Sequence, residues 1–487
     1  MAIAIALPFS INAAPTSVEH RSDTPLSIAE RVYQNKQHYQ NGRSARSLKE
    51  MENIFRRSDS DNFKGQPYPA GVEPTAGCTE CNIPITGTTV QNASLFFWLW
   101  GKDATDSGDD LVIWLNGGPG CSSLEGMLQE NGPFLYLNKN DKPFANGYSY
   151  TRAANVLYVE QPVHTGFTTG TTQNSNEDQV AAQFASFLAN FYKTFPELTK
   201  KKLWITGESY AGTYIPYISS YLYSQGQTPQ LQGGIIIDGS ITDQRLQEDV
   251  VVYQYAVQHQ KELNFTNDDI AQIKAESDKC GLTTFVDRNL KYPPSGRLPD
   301  YSRSCQPFNT YYNLANQRNP QFNIYNIDTP TPDPNSPLGY PNSGNEQYLH
   351  NTFFDNYDLQ TYIHAPHQKW VECATVFPTG DKSKKPDRQP DFSHSILATT
   401  IEKSKKFIIM NGNLDGLLIT NGTSLALQNL TWNNAQGFSK APLTPLYDLE
   451  GNQKAISTTE RGLSYAVVPQ AGHMDKVIGP KSDLKSI

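Results

Sequence analysis

The sequence predicts an α/β protein with a mostly parallel central sheet flanked by helices. Short apolar runs bounded by Gly, Asn, Pro or charged residues are typical of buried strands in such a sheet. They lie at residues 95–100, 111–115, 156–159, 203–205, 234–237, 406–410 and 465–468. Between the third and fourth runs, apolar residues recur at three- and four-residue spacing, which predicts a helix. These residues are Val180, Phe184, Phe187, Leu188 and Phe191.

The strand-like runs fall into two stretches, residues 66–244 and 401–487, which we assign to one α/β core. Residues 245–400 differ in composition: Tyr, Asn, Gln and Pro dominate, and strand-like runs are few. A regular core interrupted by a large irregular or helical cap insertion is the simplest account.

Composition excludes some classes of function. The 487 residues contain 40 Lys and Arg against 48 Asp and Glu, a formal net charge of −8. A general nucleic-acid binder needs a basic face, so we expect no nucleic-acid partner. No apolar run is long enough to span a bilayer, so we expect no membrane span.

The N-terminal 65 residues have the composition of a processed leader. In residues 1–14 a short apolar stretch precedes small residues, as in a signal peptide, although an unstructured tail explains it equally well. Residues 15–65 are polar, which predicts a propeptide or a loosely attached arm. The Arg56–Arg57 pair within them is a candidate processing site, although most such pairs are solvated surface.

Two further features favour a secreted protein, or one held in a vacuole-like compartment. Four triplets have the N-glycosylation pattern, at Asn92, Asn264, Asn421 and Asn429. Six cysteines allow three disulfides. Cys78-Thr-Glu-Cys81 also has the spacing of half a zinc site or a redox pair. Because no second pair at metal spacing follows, we favour a disulfide.

The sharpest candidate site is Ser209, in a Gly-Glu-Ser-Tyr-Ala string that follows an apolar run and precedes a helical pattern. The string resembles the nucleophile elbow of the α/β-hydrolase fold, a tight strand-to-helix turn that exposes the serine hydroxyl. Ala211 stands where Gly is commoner.

A serine nucleophile needs a base that is oriented by a carboxylate. In this fold the order along the chain is Ser, then Asp or Glu, then His. Asp415 and His473 each follow a predicted strand and come in that order. By the same criteria, we expect three other histidines to be ordinary surface or pocket residues: His164, His364 and His367.

Four sequence blocks together resemble the signatures of the serine carboxypeptidases, and the resemblance extends from about residue 66 to 476. They are Trp114-Leu-Asn-Gly-Gly-Pro-Gly-Cys-Ser-Ser123, Gly207-Glu-Ser-Tyr-Ala-Gly212, Gly412-Asn-Leu-Asp415 and Ala471-Gly-His-Met474. A further match, Val159-Glu-Gln-Pro162 with Gly166-Phe167, lies between the first two.

The resemblance implies roles for particular residues. It makes Ser209, Asp415 and His473 a catalytic triad, with the Gly118 and Tyr210 N–H groups as the oxyanion hole. It also implies a set that binds the substrate's C-terminal carboxylate: Asn116, Gly117, Glu130 and Glu208, supported by Trp114. Acidic side chains can bind an anion when burial and mutual repulsion keep one of them protonated. This predicts that peptide binding weakens as pH rises.

The resemblance also implies disulfide pairs. Cys121 matches a family cysteine whose partner here is Cys373, which leaves Cys280–Cys305 inside the insertion and Cys78–Cys81 as a local pair.

Two departures from the family pattern carry expectations. After Met474 the family continues into a full amphipathic helix, which we expect here to be shortened or lost. Asp238-Gly239-Ser240 stands where the family commonly has Gly-Asn-Gly, so we expect an altered pocket floor.

The function predicted from these residues is a serine-type carboxypeptidase that hydrolyses the C-terminal peptide bond of peptides and proteins through an acyl-enzyme, favoured at acidic pH. The chemistry implies no metal or organic cofactor. Two alternatives stay open: an acyltransferase of the same fold, in which an alcohol replaces water, and an inactive binding relative. The complete carboxylate-binding set favours the peptidase.

Overall fold

The structure is a computed structural model that describes residues 81–102, 109–137, 143–226, 230–330, 338, 353–377, 392–448 and 451–474. The segments 1–14, 15–65 and 475–487, and Cys78, lie outside the described residues. The predictions for the leader, the propeptide, the closing helix and the Cys78–Cys81 pair therefore stay predictions.

The described residues contain a large mixed sheet and two small hairpins. In chain order the strands are β1 (Asn82–Pro84), β2 (Val90–Trp100), β3 (Asp110–Leu115), β4 (Phe134–Leu135), β5 (Phe144–Ala145), β6 (Asn155–Val159), β7 (Thr169–Thr172), β8 (Lys202–Glu208), β9 (Leu231–Ile237), β10 (Lys406–Gly412), β11 (Thr431–Trp432), β12 (Ala435–Gln436), β13 (Thr444–Tyr447), β14 (Gln453–Glu460) and β15 (Leu463–Val468). The hairpins are β4–β5 and β11–β12.

The large sheet has eleven strands in the described residues, in the order β1-β2-β6-β3-β8-β9-β10-β15-β14-β13, with β7 pairing with β2. Neighbours from β6 through β15 pair in parallel. The strands outside this block pair antiparallel. The predicted fold class, a mostly parallel α/β sheet, is thereby confirmed.

The described residues also contain eleven α-helices. They are α1 (Ser123–Gly126), α2 (Glu177–Thr194), α3 (Ala211–Gln225), α4 (Gln244–Gln247), α5 (Val252–Gln258), α6 (Asn267–Asp278), α7 (Phe285–Asn289), α8 (Pro307–Arg318), α9 (Tyr357–Tyr362), α10 (Ala398–Lys403) and α11 (Thr420–Asn429). Short π-helical turns cover Met127–Asn131 and Ser393–Leu397, and 3₁₀ turns cover Tyr150–Arg152, Pro196–Lys200 and Phe353–Asp355. In the described part of the chain, none of these helices is both long and apolar enough to cross a membrane.

The α2 helix shows why the sequence folds this way. Its first turn is capped by the Asn176 side chain, which accepts a hydrogen bond from the Gln179 N–H, and acidic residues follow. All five apolar residues that predict the helix are buried. On the sheet, Phe97 packs edge-on against Phe187 and Phe191 with ring centroids 6.0 and 5.3 Å apart. Burial of this aromatic stripe fixes the helix on the sheet.

Where the structure describes it, the region between β9 and β10 contains helices joined by irregular segments and no strand. The α6 helix begins with a capping box, in which Thr266 and Asp269 each bond the other's backbone N–H. The assignment of residues 245–400 as a separate cap insertion stays a prediction.

Candidate active site

The candidate residues collect at the carboxyl edge of the parallel strands. Glu208 at the end of β8 lies opposite Ile237 at the end of β9, and Ile237 lies opposite Met410 on β10. Gly412 of β10 lies opposite Val468 of β15. Loops that leave neighbouring parallel strands meet at one edge, which is where open α/β sheets place their binding crevices. Ser209, Asp415 and His473 all follow these strand ends.

Ser209 occupies a tight turn between β8 and α3. Its φ is 59°, in the left-handed region that non-glycine residues seldom adopt. The Ser209 N–H donates to the Ile237 carbonyl at 3.0 Å, and the Ser209 carbonyl accepts from the Gly212 and Ser240 N–H groups, each at 2.9 Å. A Cβ on Gly207 would lie 2.8 Å from the Ala211 Cβ, so the turn admits only small residues at its base. These contacts hold the serine in a strained turn.

Asp415 and His473 form a buried pair. The Asp415 Oδ2 lies 2.7 Å from His473 Nδ1, and both side chains are almost wholly buried. Asp415 Oδ1 accepts hydrogen bonds from the Leu417 and Leu418 N–H groups at 2.8 and 3.0 Å. The His473 N–H donates to the Tyr325 carbonyl at 2.6 Å. The carboxylate therefore orients the ring, with Nδ1 turned toward it.

The other ring nitrogen, His473 Nε2, is buried and has no hydrogen-bond partner in the structure. The Ser209 hydroxyl is accordingly not hydrogen-bonded to it here. Catalytic hydrogen bonds are often long in unliganded enzymes and shorten when substrate binds. The geometry leaves Nε2 available to accept a proton.

The Gly117–Gly118 segment packs directly on the serine turn. A Cβ on Gly117 would lie 2.4 Å from the Tyr210 nitrogen and 2.6 Å from the Ser209 Cβ, a distance that side chains do not tolerate. Gly118 has φ of 110°. Only glycine allows this approach of Gly117 to the Ser209–Tyr210 backbone, and the predicted oxyanion-hole residue Gly118 is the next residue in the chain.

The predicted carboxylate-binding residues form a buried hydrogen-bond chain. Trp114 Nε1 donates to Asn116 Oδ1 at 2.7 Å, and Asn116 Nδ2 donates to Glu208 Oε1 at 3.0 Å. Glu208 in turn shares a hydrogen bond with Glu130. Burial raises the pKa of Glu208 well above its usual range, and the nearby Glu130 carboxyl raises it further. The structure thus brings Trp114, Asn116, Glu130 and Glu208 together, in surroundings that favour the neutral form of Glu208.

Sequence reasoning missed three buried acids beside this chain. Glu125 on α1 has a pKa raised by burial and then by Glu372 and Glu130. Burial raises the pKa of Glu372 to about 8 and that of Glu160 to about 7. Glu160 accepts hydrogen bonds from Ser122 Oγ, the Phe167 N–H and Trp370 Nε1. Glu160 lies in the Val159–Pro162 block that matches the family, but sequence reasoning assigned it no role, and nothing in the sequence marks Glu125 or Glu372 as buried.

Two disulfides are present in the described residues, and both have the pairing that the resemblance implies. Cys121–Cys373 joins the loop after β3 to the segment that precedes β10, and Cys280–Cys305 closes a short loop. The Ser122 N–H also donates to the Glu372 carbonyl at 2.7 Å. This second tie holds Glu372 at the start of α1.

Asp238, one of the residues after β9 that depart from the family pattern, bonds to the end of the neighbouring strand. Asp238, with φ of 44°, is buried, and its Oδ1 accepts from Asn411 Nδ2 at 2.6 Å and from the Gly412 N–H at 2.7 Å. The carboxylate thus ties the end of β9 to the end of β10.

The remaining predicted residues lie outside this site. The His164 ring contacts the Thr375 carbonyl and the His367 ring contacts the Thr361 hydroxyl, and burial lowers the pKa of His364. Asn92 and Asn264 are exposed, and Asn421 and Asn429 are half-buried. Asn429 Oδ1 accepts from the Leu298 N–H at 2.9 Å. Within the described residues, no group of three His, Cys, Asp or Glu side chains is placed to hold a metal ion.

A serine on a strand-to-helix turn, with an Asp–His pair at the same edge of a mostly parallel sheet, defines the class: an α/β protein with the residue set of a serine hydrolase. Comparison with known proteins narrows this class. The sequence profile of the serine carboxypeptidases matches residues 85–487.

Two similar relatives are fungal. A probable serine carboxypeptidase of Arthroderma benhamiae is 36% identical over 435 residues, covering 83% of this chain and 80% of the relative. The serine-type carboxypeptidase F of Aspergillus niger is 34% identical over 435 residues, covering 82% of this chain and 81% of the relative. A solved prohormone-processing carboxypeptidase from Saccharomyces cerevisiae shares the fold, with a TM-score of 0.61, 23% identity and coverage of 81% of this chain and 87% of that one. The chain belongs to the serine carboxypeptidase family, whose members are hydrolases.

Proposed function

We propose that this protein removes C-terminal residues through an acyl-enzyme formed on Ser209. The serine hydroxyl attacks the carbonyl carbon of the last peptide bond while His473 Nε2 takes its proton. Asp415 stabilises the resulting imidazolium, and the Gly118 and Tyr210 N–H groups stabilise the oxyanion. The imidazolium then protonates the departing amine, the C–N bond breaks, and water hydrolyses the ester with His473 as base.

The observation that carries the proposal is the hydrogen-bond chain from Trp114 through Asn116 to Glu208 and Glu130, immediately before the nucleophile. Because Glu208 is held protonated, it can donate a hydrogen bond to a substrate carboxylate. An endopeptidase or an esterase has no need of such a group. These carboxylate-binding residues therefore select the peptide bond that precedes a free C-terminal residue.

This binding mode predicts an acid-favouring enzyme. As pH rises, the Glu130–Glu208 pair loses its shared proton, and two anionic carboxylates then face an anionic substrate. The KM should therefore increase toward neutral and alkaline pH.

The test compares a blocked dipeptide with its C-terminally amidated twin, from acid to neutral pH, with and without a serine-reactive inhibitor. Inhibitor-sensitive release from the free acid, much weaker on the amide, supports the proposal. Ser209→Ala is the matched control: a small residue suits the turn, so the variant should fold and release nothing. Absence of release by folded wild-type protein would favour acyl transfer or a binding role.

We also propose that the protein is secreted or held in a vacuole-like compartment, with residues 15–65 as a propeptide. The two disulfides and the exposed acceptors Asn92 and Asn264 support this. A loss of mass on glycosidase treatment of protein recovered from its native host, together with the N-terminal sequence of that protein, tests both parts.

A further inference from the structure

Two buried acids next to the active site take no part in the proposed mechanism. Glu125 lies on α1 and is 5% exposed, and Glu372 precedes Cys373 and is 7% exposed. Each comes from a different part of the chain, and the Cys121–Cys373 disulfide holds the two parts together. The two carboxyls face each other closely enough for Glu372 to disfavour ionisation of Glu125.

Glu372 has an unfilled hydrogen-bonding position. Its Oε1 is buried and has no partner in the structure. The neighbouring buried acid Glu160 is the contrast, because it accepts hydrogen bonds from Ser122, Phe167 and Trp370. A buried carboxyl oxygen without a donor is costly. No Lys, Arg or His contributes to the electrostatics of either Glu125 or Glu372 within the described residues. The Glu372 oxygen therefore lacks a hydrogen-bond donor, and no cation among the described residues supplies one.

The pair adjoins the site that we assign to the substrate carboxylate. Gly126, next to Glu125, donates its N–H to Asn116 Oδ1 at 3.2 Å, and Asn116 binds Glu208. Glu125 is near enough to Glu208 and Glu130 to interact with both. In a C-terminal residue, the carboxylate and the side chain leave the same α-carbon. If Asn116 and Glu208 hold the carboxylate of a substrate, its last side chain therefore begins near this pair.

We propose that Glu125 and Glu372 bind the cationic side chain of a C-terminal Lys or Arg, and that the enzyme prefers peptides ending in these residues. The inference rests on the proposed carboxypeptidase function and adds its substrate class. A Lys ammonium has three donors and an Arg guanidinium five, and both lack acceptors, so either supplies what the Glu372 oxygen lacks.

The pair also gives this preference a characteristic pH dependence. The titratable groups that face it are Glu130, Glu208 and, through Glu208, Asp238, all of which are acids. Burial holds Glu125 and Glu372 protonated, so binding a cation requires the pair to release a proton. The preference for Lys over an uncharged residue should therefore grow as pH rises, whereas binding of the carboxylate itself weakens for both substrates.

The experiment measures kcat/KM for two blocked dipeptides, Phe-Lys and Phe-norleucine, from pH 4 to 7. Norleucine has the carbon chain of lysine without the ammonium. Both substrates bind through the same carboxylate, so its contribution cancels in the ratio of the two kcat/KM values. We expect the wild-type ratio to favour Lys by about tenfold or more, as for a hydrogen-bonded charge, and to increase with pH. Glu125→Gln and Glu372→Gln should each lower the ratio by about tenfold while changing norleucine release by less than about threefold.

Glu197→Gln, which removes an exposed acid remote from the site, is the matched control and should leave the ratio unchanged. A wild-type ratio near one would overturn the inference. Variants that lower kcat/KM equally for both substrates would also overturn it and leave the pair a structural role. If a variant fails to fold, the ratio of the two kcat/KM values for the wild-type protein still tests the inference. Release of norleucine with no preference for Lys overturns this inference alone, whereas release of neither overturns the carboxypeptidase proposal as well.

Discussion

Replacing Asp415 with Asn tests whether the buried pair acts as the proposed mechanism requires. The carboxylate accepts three hydrogen bonds: Oδ1 accepts from the Leu417 and Leu418 N–H groups, and Oδ2 accepts from His473 Nδ1. An Asn side chain has one acceptor oxygen and one NH₂ group. Whichever way the amide turns, its NH₂ group must face at least one of these donors.

The size of the expected loss in kcat follows from the less costly orientation of the amide that replaces the Asp415 carboxylate. The amide oxygen stays on the two backbone N–H groups, so the NH₂ group faces His473 Nδ1. The imidazole must then carry its proton on Nε2, the nitrogen that has to accept the Ser209 proton. In a Ser-His-Asp triad on another fold this exchange costs about 10⁴ in kcat, about 5.5 kcal/mol. We expect a loss of similar size here.

The assay is release of the C-terminal residue from a blocked dipeptide, with urea unfolding of each variant to confirm that it folds. Asp358→Asn, at an exposed acid on α9, is the control and should retain wild-type kcat. If folded Asp415→Asn loses less than about tenfold in kcat, about 1.4 kcal/mol, Asp415 does not orient the base and the assignment is wrong.

Three other expected outcomes concern pH and covalent structure. Glu208→Gln should flatten the rise of KM with pH, because an amide donates to the substrate carboxylate at every pH; an unchanged pH profile would contradict the role of a protonated acid. Burial raises the pKa of Glu160 from 4.5 to about 7. The unfolded chain therefore ionises this group first, and the stability it contributes is complete below pH 4.5 and falls by about 3 kcal/mol as pH rises through 7. Urea unfolding at pH 4.5 and 7.5 measures this, and a stability that increases over the interval would refute it. Replacing Cys121 and Cys373 together with Ser should cost about 5.5 kcal/mol by loop entropy, since the bridge spans 252 residues. A double variant as stable as wild type in thermal unfolding would rule this out.

The core strands could be predicted because burial on both faces leaves an apolar run in the sequence. The edge strands could not: β7 is Thr-Gly-Thr-Thr, and β13 is mostly exposed. Their pairing depends on the neighbouring strand rather than on their own residues. The α6 helix was predictable in principle, from the Thr266-x-x-Asp269 capping box.

For the site, sequence order and strand position were sufficient to nominate Ser209, Asp415 and His473. The same reasoning missed Glu125, Glu160 and Glu372, because the burial that changes their chemistry arises only when distant segments meet. Glu372 is 247 residues from Glu125 in sequence. The departure from the family pattern at position 238 could be noted from the sequence, but not the groups that the Asp238 carboxylate binds. The expected change in the pocket floor stays a prediction.

The link that Asp238 makes between β9 and β10 has a consequence for how the site opens. The Ser209 turn is bonded to Ile237 and Ser240 on either side of Asp238, and the Asp238 carboxylate holds the Gly412 N–H of the loop that leads to Asp415. We therefore expect Ser209 and Asp415 to belong to one cooperative unit. Amide protons of Gly212, Ser240 and Gly412 should exchange with solvent at similar rates, governed by opening of the whole edge rather than by separate loop motions.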